Sequence, residues 1–352
     1  MIKHKSWVDG VSRLRGDIKT RHGFLRLDKN ERVTAFPEDF FEQIKFKMTS
    51  DHLTAYPEVE GLYEGLARLH QMTKDNFMIT AGSDAAIRHC FDLFVNPGGE
   101  VVVLDPTFAM VDIYCQLYSA ERQAVGYDRQ LRLDLERLHN VIGPKTELII
   151  IANPNSPTGT LISEEDLNKI LVKAAHFQVP VLIDEAYYGF CKQTAVSMLR
   201  DHENLIVSRT FSKAYGLAGL RVGYLLAQTE ITQLLQRFRP MYEVNSIGIL
   251  AAMKLLEQPE IVESYLTDTE DGRQHILKFA SDKGLPFLDT QANFIYIDFG
   301  DKKQAIMDKF SKAGTLVRGG LSIEGFETYL RISLGPVTAM RSLTEVLQGV
   351  DF

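Results

Sequence analysis

A lysine at position 213 has the surroundings that amine chemistry requires. It follows the apolar run 204–208, which predicts a short buried strand, and it lies between Ser212 and a glycine-spaced turn that leads to Arg221. A free lysine amine has a pKa of about 10.4 and is protonated near pH 7. Burial or a neighbouring positive charge lowers that pKa, and the neutral amine can then attack a carbonyl carbon to form a Schiff base. A solvated surface lysine is the alternative interpretation, so the rest of the chain must decide between the two.

Other polar residues fall at the ends of predicted strands. Apolar runs alternate with helical segments in the middle of the chain, which predicts a mostly parallel sheet covered by helices on both faces. These runs are residues 100–105, 147–152 and 181–183. Ligands of such sheets bind at the carboxyl ends of the strands. Because Asn153, Asp184 and Lys213 each lie at or just after such an end, the sequence indicates a binding site there.

A turn of small residues opens a helix after the predicted strand 77–80. Gly82, Ser83 and Asp84 form this turn. The first turn of a helix presents free backbone N–H groups and the positive end of the helix dipole, which suits a phosphate group. An ordinary capped helix is the alternative interpretation.

The chain is long enough for a large core, with 352 residues of which 45% are hydrophobic. We predict an N-terminal arm over residues 1–30, a large domain over 31–256 and a smaller domain over 257–352. Within them, a helix is predicted from about residue 37 to 56, and a strand over 315–318. The arm is predicted to be irregular and basic, and its cations are Arg13, Arg15, Lys19, Arg21 and Arg26.

Composition excludes several classes of partner. The formal net charge of −7 gives no broad positive field for a nucleic acid. The apolar runs are too short to span a membrane, and the N-terminus has no apolar signal core. Three widely spaced cysteines, Cys90, Cys115 and Cys191, are typical of a reducing cytoplasm and not of a disulfide framework. We therefore expect a cytoplasmic protein that contacts neither nucleic acid nor membrane, and we predict no metal site.

Six motifs follow one another along the chain: Gly82-Ser83-Asp84, Asn153 to Gly159, Asp184 to Tyr187, Ser212-Lys213, Arg221 to Tyr224 and Leu330 to Ser333. Taken together, they resemble the motifs of fold-type-I enzymes that depend on pyridoxal 5′-phosphate, in the class I and II aminotransferases. They are most similar to the histidinol-phosphate aminotransferase group, and the resemblance spans about residues 27–335. The resemblance implies an α/β fold, with a mostly parallel seven-stranded sheet between helices in the large domain and a smaller α+β domain.

The resemblance assigns roles at the cofactor ring. Lys213 would hold the cofactor as a Schiff base and later move a proton between the substrate Cα and the cofactor C4′. Asp184 would pair with the protonated pyridine nitrogen, and its alternative is a cap at a strand end. Asn153 and Tyr187 would donate hydrogen bonds to the phenolic oxygen of the ring.

The resemblance also assigns residues to the ring faces and the phosphate. Phe108 would stack on one face and Ala186 would lie against the other, with ordinary core packing as the alternative for both. Tyr56 would reach the phosphate from the neighbouring subunit, which implies a homodimer with a shared active site. The other groups near the phosphate would belong to Gly82, Ser83, Asp84, Thr210, Ser212 and Arg221.

Four further residues are candidates for contact with the substrate. Arg331 matches the arginine that takes the α-carboxylate of an amino acid such as glutamate. Arg318 is a candidate for a distal carboxylate or phosphate, with a solvated charge as the alternative. Asn30 and Tyr242 are the remaining candidates.

The chain departs from the family pattern in three segments. Residues 6–10 lack the tyrosine-x-proline-glycine sequence, and residues 29–32 lack the proline-x-glycine sequence. In the segment 240–245, Glu243 is expected to place a carboxylate near the pocket. These departures leave the cofactor residues in place and widen the choice of amino acceptor to other polar or phosphorylated keto compounds.

The resemblance thus implies an aminotransferase that exchanges an amino group between glutamate, or a similar amino acid, and a keto substrate. Decarboxylation of a phosphorylated amino acid, as in threonine-phosphate decarboxylases, uses the same cofactor and lysine and remains an alternative. A non-catalytic module that binds the cofactor is a second alternative.

Overall fold

The computed structural model describes residues 2–11 and 21–352. Three cations of the predicted basic arm, Arg13, Arg15 and Lys19, lie outside the described residues. The strands in chain order are β1 (Leu25–Arg26), β2 (Phe77–Thr80), β3 (Glu100–Asp105), β4 (Glu121–Gly126), β5 (Thr146–Ala152), β6 (Val181–Asp184), β7 (Leu205–Thr210), β8 (Gly223–Ala227), β9 (Phe287–Asp289), β10 (Phe294–Asp298), β11 (Thr315–Leu316), β12 (Arg318–Gly319) and β13 (Tyr329–Ser333).

The helices surround these strands. They are α1 (Glu38–Lys47), α2 (Asp51–Thr54), α3 (Glu60–His70), α4 (Ser83–Phe94), α5 (Ala109–Leu117), α6 (Leu135–Val141), α7 (Glu164–His176), α8 (Thr229–Leu235), α9 (Ser246–Glu257), α10 (Pro259–Asp282), α11 (Lys303–Lys312) and α12 (Val337–Val346). Among residues 2–11 and 21–352, every helix is too short or too polar to cross a bilayer.

The large sheet has seven strands in the order β2-β8-β7-β6-β5-β3-β4. β8 is antiparallel to both of its neighbours, and the other pairs in this sheet are parallel. The predicted fold class, a mostly parallel seven-stranded sheet between helices, is therefore confirmed. The carboxyl ends of β2, β3, β5, β6 and β7 meet at one edge of the sheet because these strands run in the same direction.

Helices cover both faces of this sheet, which explains the near-continuous apolar strands. In β3, Val102 and Leu104 belong to one buried cluster, whereas Val101 and Val103 belong to the cluster on the opposite face. The side chains of β5 alternate between the same two clusters. Successive side chains of a strand point to opposite faces, so a strand buried on both sides must be apolar throughout.

The predicted helix over residues 37–56 is wrong, since two helices occupy this stretch. α1 ends at Lys47 because Met48 takes an extended backbone conformation, with φ −68° and ψ 126°. The short helix α2 then begins at Asp51. Thr49, between them, donates its backbone N–H to the ring of His52 at 3.2 Å. This local bond competes with continuation of the helix.

The C-terminal strands form a second, antiparallel sheet in the order β12-β13-β10-β9. The single strand predicted over residues 315–318 is also wrong. It is divided at Val317: β11 pairs with β1 of the N-terminal arm, and β12 pairs with β13. The arm is thus tied to the C-terminal part of the chain. The domain boundaries near residues 30 and 256 stay a prediction.

Candidate active site

A cavity of about 540 Å³ lies where the carboxyl ends of the large sheet face the second sheet. Residues that directly follow β2, β3, β5, β6 and β7 line it, as expected for a parallel sheet. Of the residues singled out in the sequence, the cavity is lined by Asn30, Ser83, Asp84, Phe108, Asp184, Ala186, Tyr187, Thr210, Ser212, Lys213, Arg221, Arg318 and Arg331. The fold therefore brings together residues that are up to 301 positions apart, counting from Asn30 to Arg331 (331 − 30).

Lys213 presents its amine to the cavity from the loop after β7. Its Nζ donates a hydrogen bond to the backbone oxygen of Lys29 at 3.0 Å. Burial lowers the pKa of the Lys213 amine to about 8, and the positive charges of Arg331 and Arg221 act in the same direction. A substantial fraction of this amine is therefore neutral near pH 8, the form that attacks a carbonyl carbon.

Asp184 ends β6 and is 4% exposed. The Ser208 hydroxyl donates a hydrogen bond to its Oδ1 at 2.7 Å. Burial raises the pKa of the Asp184 carboxyl to about 6, because no ion pair within the described residues compensates for its lost hydration. The neighbouring negative charges of Glu185 and Asp84 raise it further. A cation placed in the cavity beside Asp184 would be stabilised by this carboxylate.

An anion cradle forms where the N-terminus of α4 meets the loop before β8. Gly82 caps α4 with a φ of 84°, a conformation that favours glycine. A Cβ at Gly82 would lie 2.8 Å from Nη2 of Arg221, and one at Gly223 would lie 2.6 Å from the carbonyl carbon of Gly82. Arg221 donates from Nη1 to the Ser212 hydroxyl at 3.2 Å. Free helix N–H groups, hydroxyls and a guanidinium converge here, which is a donor set suited to phosphate.

Tyr187 is oriented by Asn30, which is 2% exposed and has a left-handed backbone with φ 57°. The Ser333 hydroxyl donates to Oδ1 of Asn30 at 2.8 Å, so Nδ2 is left to donate to the Tyr187 hydroxyl, also at 2.8 Å. Because the Tyr187 oxygen accepts this bond, its own proton is free to donate into the cavity. Asn30 therefore orients Tyr187. It also lines the cavity, and its contact with substrate stays a prediction.

Replacing Asn30 by aspartate tests this orientation. The change keeps the size of the side chain, but it puts a second oxygen beside the Tyr187 hydroxyl, which then donates to the carboxylate and not into the cavity. We expect kcat to fall about tenfold, as for the loss of one hydrogen bond to a charged group. Tyr187→Phe should cost a similar factor, and the double variant should cost little more than either. Additive losses in steady-state rates would show that the two residues act separately.

Two arginines face each other in the second sheet. Arg318 of β12 and Arg331 of β13 are direct partners in the antiparallel register, and Tyr296 of β10 is the partner of Arg331 on its other side. Side chains of directly opposed residues lie on the same face of a sheet, and all three line the cavity. Arg331 donates from Nη2 to the Asp28 backbone oxygen at 2.8 Å, whereas its buried Nε has no hydrogen-bond partner among residues 2–11 and 21–352. This edge of the cavity is suited to carboxylates or phosphates.

Asn153 and Tyr242 lie elsewhere, and the role predicted for Tyr56 in the neighbouring subunit stays a prediction. Asn153 uses its side chain on the backbone of Ile162, accepting from N at 2.8 Å and donating to O at 3.2 Å, and Ser156 of the same motif lines the cavity in its place. The structure therefore does not support the predicted contact of Asn153 with a ring oxygen. Tyr56 and Tyr242 lie outside the cavity and stack on each other, with ring centroids 4.0 Å apart and an interplanar angle of 11°.

The carboxylate of Glu243 was expected near the pocket, and it does not line the cavity. It lies behind the loop before α4 and accepts a hydrogen bond from the backbone of Ala81. Sequence reasoning missed Glu31, which does line the cavity and forms an ion pair with Arg21 at 2.9 Å. Its position next to Asn30, in the segment 29–32, could have indicated that Glu31 lines the cavity.

The comparisons agree with this geometry. The family model described as aminotransferase class I and II matches residues 26–350. The chain belongs to the class I and II aminotransferases. This aminotransferase is 32% identical over 328 residues to the histidinol-phosphate aminotransferase of Caldanaerobacter subterraneus, with 92% of both chains covered. It is 33% identical over 334 residues to that of Moorella thermoacetica, with 92% of this chain and 85% of the relative covered.

A solved structure gives the cofactor. The histidinol-phosphate aminotransferase of Sinorhizobium meliloti, in complex with pyridoxal 5′-phosphate, has a TM-score of 0.86 and 26% identity, covering 99% of this chain and 98% of that one. The present aminotransferase uses the same cofactor. Its residues fit this group, since a partly neutral lysine amine, a buried carboxylate without a described cationic partner, and a phosphate-type cradle line one cavity. When bound, the cofactor supplies an aldehyde carbon and an electron-withdrawing ring.

Proposed function

We propose that this aminotransferase takes the amino group of glutamate, or a similar amino acid, and delivers it to a polar or phosphorylated keto compound of the histidinol-phosphate type. The observation that carries the proposal is the pair Arg318 and Arg331, opposed in register in the cavity that also holds Lys213. Two guanidinium groups suit a substrate with two anionic groups. The relatives named for histidinol phosphate support the same substrate class.

Each residue at the cofactor ring has a proposed task. Lys213 binds the cofactor covalently through its amine and moves a proton at the substrate Cα. The Asp184 carboxylate holds a proton on the pyridine nitrogen, and the Tyr187 hydroxyl donates to the phenolic oxygen. Phe108 and Ala186 would bound the two faces of the ring, as the resemblance implies, and both line the cavity. The phosphate binds at the cradle, whose members are Gly82, Ser83, Asp84, Thr210, Ser212 and Arg221.

At the substrate end, Arg331 binds the α-carboxylate and Arg318 binds the distal anion. Nε of Arg331 is buried without a hydrogen-bond partner in the described part of the chain, which supports a ligand contact at this residue. Glu31 and Lys29 line the same region of the cavity, and the ion pair of Glu31 with Arg21 reduces the repulsion of an anionic substrate.

We also propose a homodimer with a shared site. Tyr56 is 73% exposed and Tyr242 is 48% exposed, and their stacked rings form an exposed apolar surface. Phe46, Leu53 and Met241 are also exposed apolar side chains. Exposed apolar surfaces of this kind mark protein interfaces. The resemblance implies that, in such a dimer, each subunit supplies Tyr56 to the cradle of the other. Sedimentation should give a dimer, and a monomer with full activity would contradict the shared site. A cytoplasmic location is proposed as well, since Cys90, Cys115 and Cys191 are free thiols.

The proposed reaction is tested by its two halves. Glutamate added to the holoenzyme should convert the cofactor to its amino form, with an absorbance change and one equivalent of 2-oxoglutarate. A panel of phosphorylated and non-phosphorylated keto compounds should then restore the original spectrum. Release of CO₂ without 2-oxoglutarate would instead indicate decarboxylation and would overturn the proposal.

Arg318→Ala should separate the two anion sites. We expect KM for a phosphorylated acceptor to rise about tenfold or more, because a charge-assisted hydrogen bond to the distal anion is lost. KM for the dephosphorylated form of the same acceptor should change little. Arg129→Ala is the matched control, since Arg129 pairs with Glu324 and does not line the cavity. Equal effects of Arg318→Ala on both acceptors would rule out a distal anion site at this residue.

A further inference from the structure

A short segment before α9, residues 242–245, lies behind the anion cradle. Within it, the side chain of Glu243 is 9% exposed. Its Oε1 accepts a hydrogen bond from the backbone N–H of Ala81 at 2.9 Å, and its Oε2 lies 3.0 Å from Nε2 of His89, on α4. A single carboxylate thus holds both the loop before α4 and a point further along the same helix.

The loop that Glu243 holds is the loop that forms the cradle. Ala81 directly precedes Gly82, whose N–H donates to the Thr80 oxygen at 2.8 Å. The Thr80 hydroxyl donates back to the oxygen of Gly82 at 2.9 Å. Because a Cβ at Gly82 would already lie 2.8 Å from Arg221 Nη2, the loop and the guanidinium have no spare room between them. A shift of Ala81 would therefore change the position of the first N–H groups of α4 relative to Arg221.

The same segment also holds the other side of the cradle. Asn245 donates from Nδ2 to the backbone oxygen of Leu220 at 2.8 Å. Leu220 directly precedes Arg221, whose backbone is left-handed with φ 53°. With its Oδ1, Asn245 accepts from the N–H of Gly248 at 2.7 Å and so caps α9. Residues 242–245 therefore hold both sides of the cradle. This segment ends at Asn245, the N-terminal cap of α9.

We propose that Glu243 is a positioning residue for the cofactor phosphate. By fixing Ala81 and α4 against the stretch that also fixes Arg221, it sets the distance between the helix N–H groups and the guanidinium. The buried carboxylate touches neither cofactor nor substrate and acts through the loop. The proposal rests on the assignment of the cradle to the cofactor phosphate.

The test compares two ligands that differ only in the phosphate. The full-length protein is freed of cofactor and titrated with pyridoxal 5′-phosphate and with pyridoxal. For Glu243→Ala, we expect Kd for the phosphorylated ligand to rise about tenfold or more, the effect of losing a hydrogen bond to a charged group. Kd for pyridoxal should stay within about twofold, because the ring residues are unchanged. A general loss of structure would weaken both ligands alike, and that result would overturn the proposal.

Glu243→Gln provides the conservative variant. Its amide oxygen can still accept from Ala81, and its NH₂ group can donate to the ring of His89, so Kd should stay within about threefold of the unaltered value. If Glu243→Gln weakened phosphate binding as much as Glu243→Ala, positioning by this geometry would be rejected. Should Glu243→Ala fail to fold, Glu243→Asp replaces it, and an unchanged ratio of the two Kd values would contradict the proposal.

Glu147→Ala is the matched control. Glu147 likewise uses its carboxylate to hold a loop, accepting from the backbone N–H of Asn96 at 2.7 Å, at the end of β5 that is remote from the cavity. Its removal should leave the ratio of the two Kd values unchanged. If the unaltered protein bound pyridoxal and its phosphate equally well, the cradle itself would be wrongly assigned, a failure distinct from that of Glu243.

Discussion

Replacing Lys213 by alanine is expected to abolish turnover and the covalent retention of the cofactor. The amine has a pKa lowered to about 8 by burial and two neighbouring arginines, so it is suited both to bond with an aldehyde and to carry a proton. Without it, we expect kcat to fall by at least about a thousandfold, since both the covalent bond and the proton carrier are lost. Steady-state assays measure the first loss, and gel filtration in denaturant after borohydride reduction measures the second.

Lys29→Ala is the control for this variant. Lys29 also lines the cavity, and its backbone oxygen accepts from Lys213, so removing its side chain leaves that bond possible. We expect covalent retention to survive in Lys29→Ala. If Lys29→Ala lost the cofactor and Lys213→Ala kept it, the wrong lysine would have been assigned.

The low pKa of Lys213 also fixes the pH dependence of cofactor binding. Only the neutral amine attacks the aldehyde, so the rate of reconstitution of the cofactor-free enzyme should rise with pH and reach half of its maximum near the pKa of about 8. An ordinary lysine would give a rate that is still rising toward pH 10.

Asp184→Asn is expected to cause the second large loss. The buried carboxylate is held by Ser208 and has a pKa raised to about 6, a cost that a protonated pyridine nitrogen beside it would offset. Asparagine has nearly the same shape as aspartate, but it carries no negative charge to stabilise the proton on the pyridine nitrogen. We expect kcat/KM to fall about a hundredfold or more, the scale of removing a preorganised charge from an active site, while the cofactor stays bound through Lys213 and the cradle.

Ser208→Ala provides the graded comparison. It removes one hydrogen bond to the carboxylate and leaves the charge, so the loss should stay below about tenfold. Equal losses in Ser208→Ala and Asp184→Asn would mean that orientation and not charge is what matters. Full activity of Asp184→Asn would contradict the assignment to the ring nitrogen.

The strand ends could be predicted from the sequence because the signals are local. Apolar runs ending at Asp184 and before Lys213 predict parallel strands, and the geometry of such a sheet brings their carboxyl ends together. The division of residues 315–318 between two sheets could not be predicted, since it depends on pairing of β11 with β1, some 290 residues earlier (315 − 25).

Asn30 and Asn153 show what the sequence does not reveal within the site. Asn30 lines the cavity as predicted, but its amide is fixed by Ser333, 303 residues away, and this distant partner turns it toward Tyr187. Asn153 was expected at the ring, but a local bond to Ile162 removes it and leaves Ser156 at the cavity. A motif gives the residue types, whereas tertiary hydrogen bonds decide which member of the motif faces the ligand.

The most direct test of the central claim is to locate the cofactor on the chain. The holoenzyme is reduced with borohydride, digested, and its peptides are mapped by mass spectrometry. We predict a single pyridoxyl-phosphate adduct, on Lys213. An adduct on another lysine, or none in a protein that still transfers amino groups, would contradict the account.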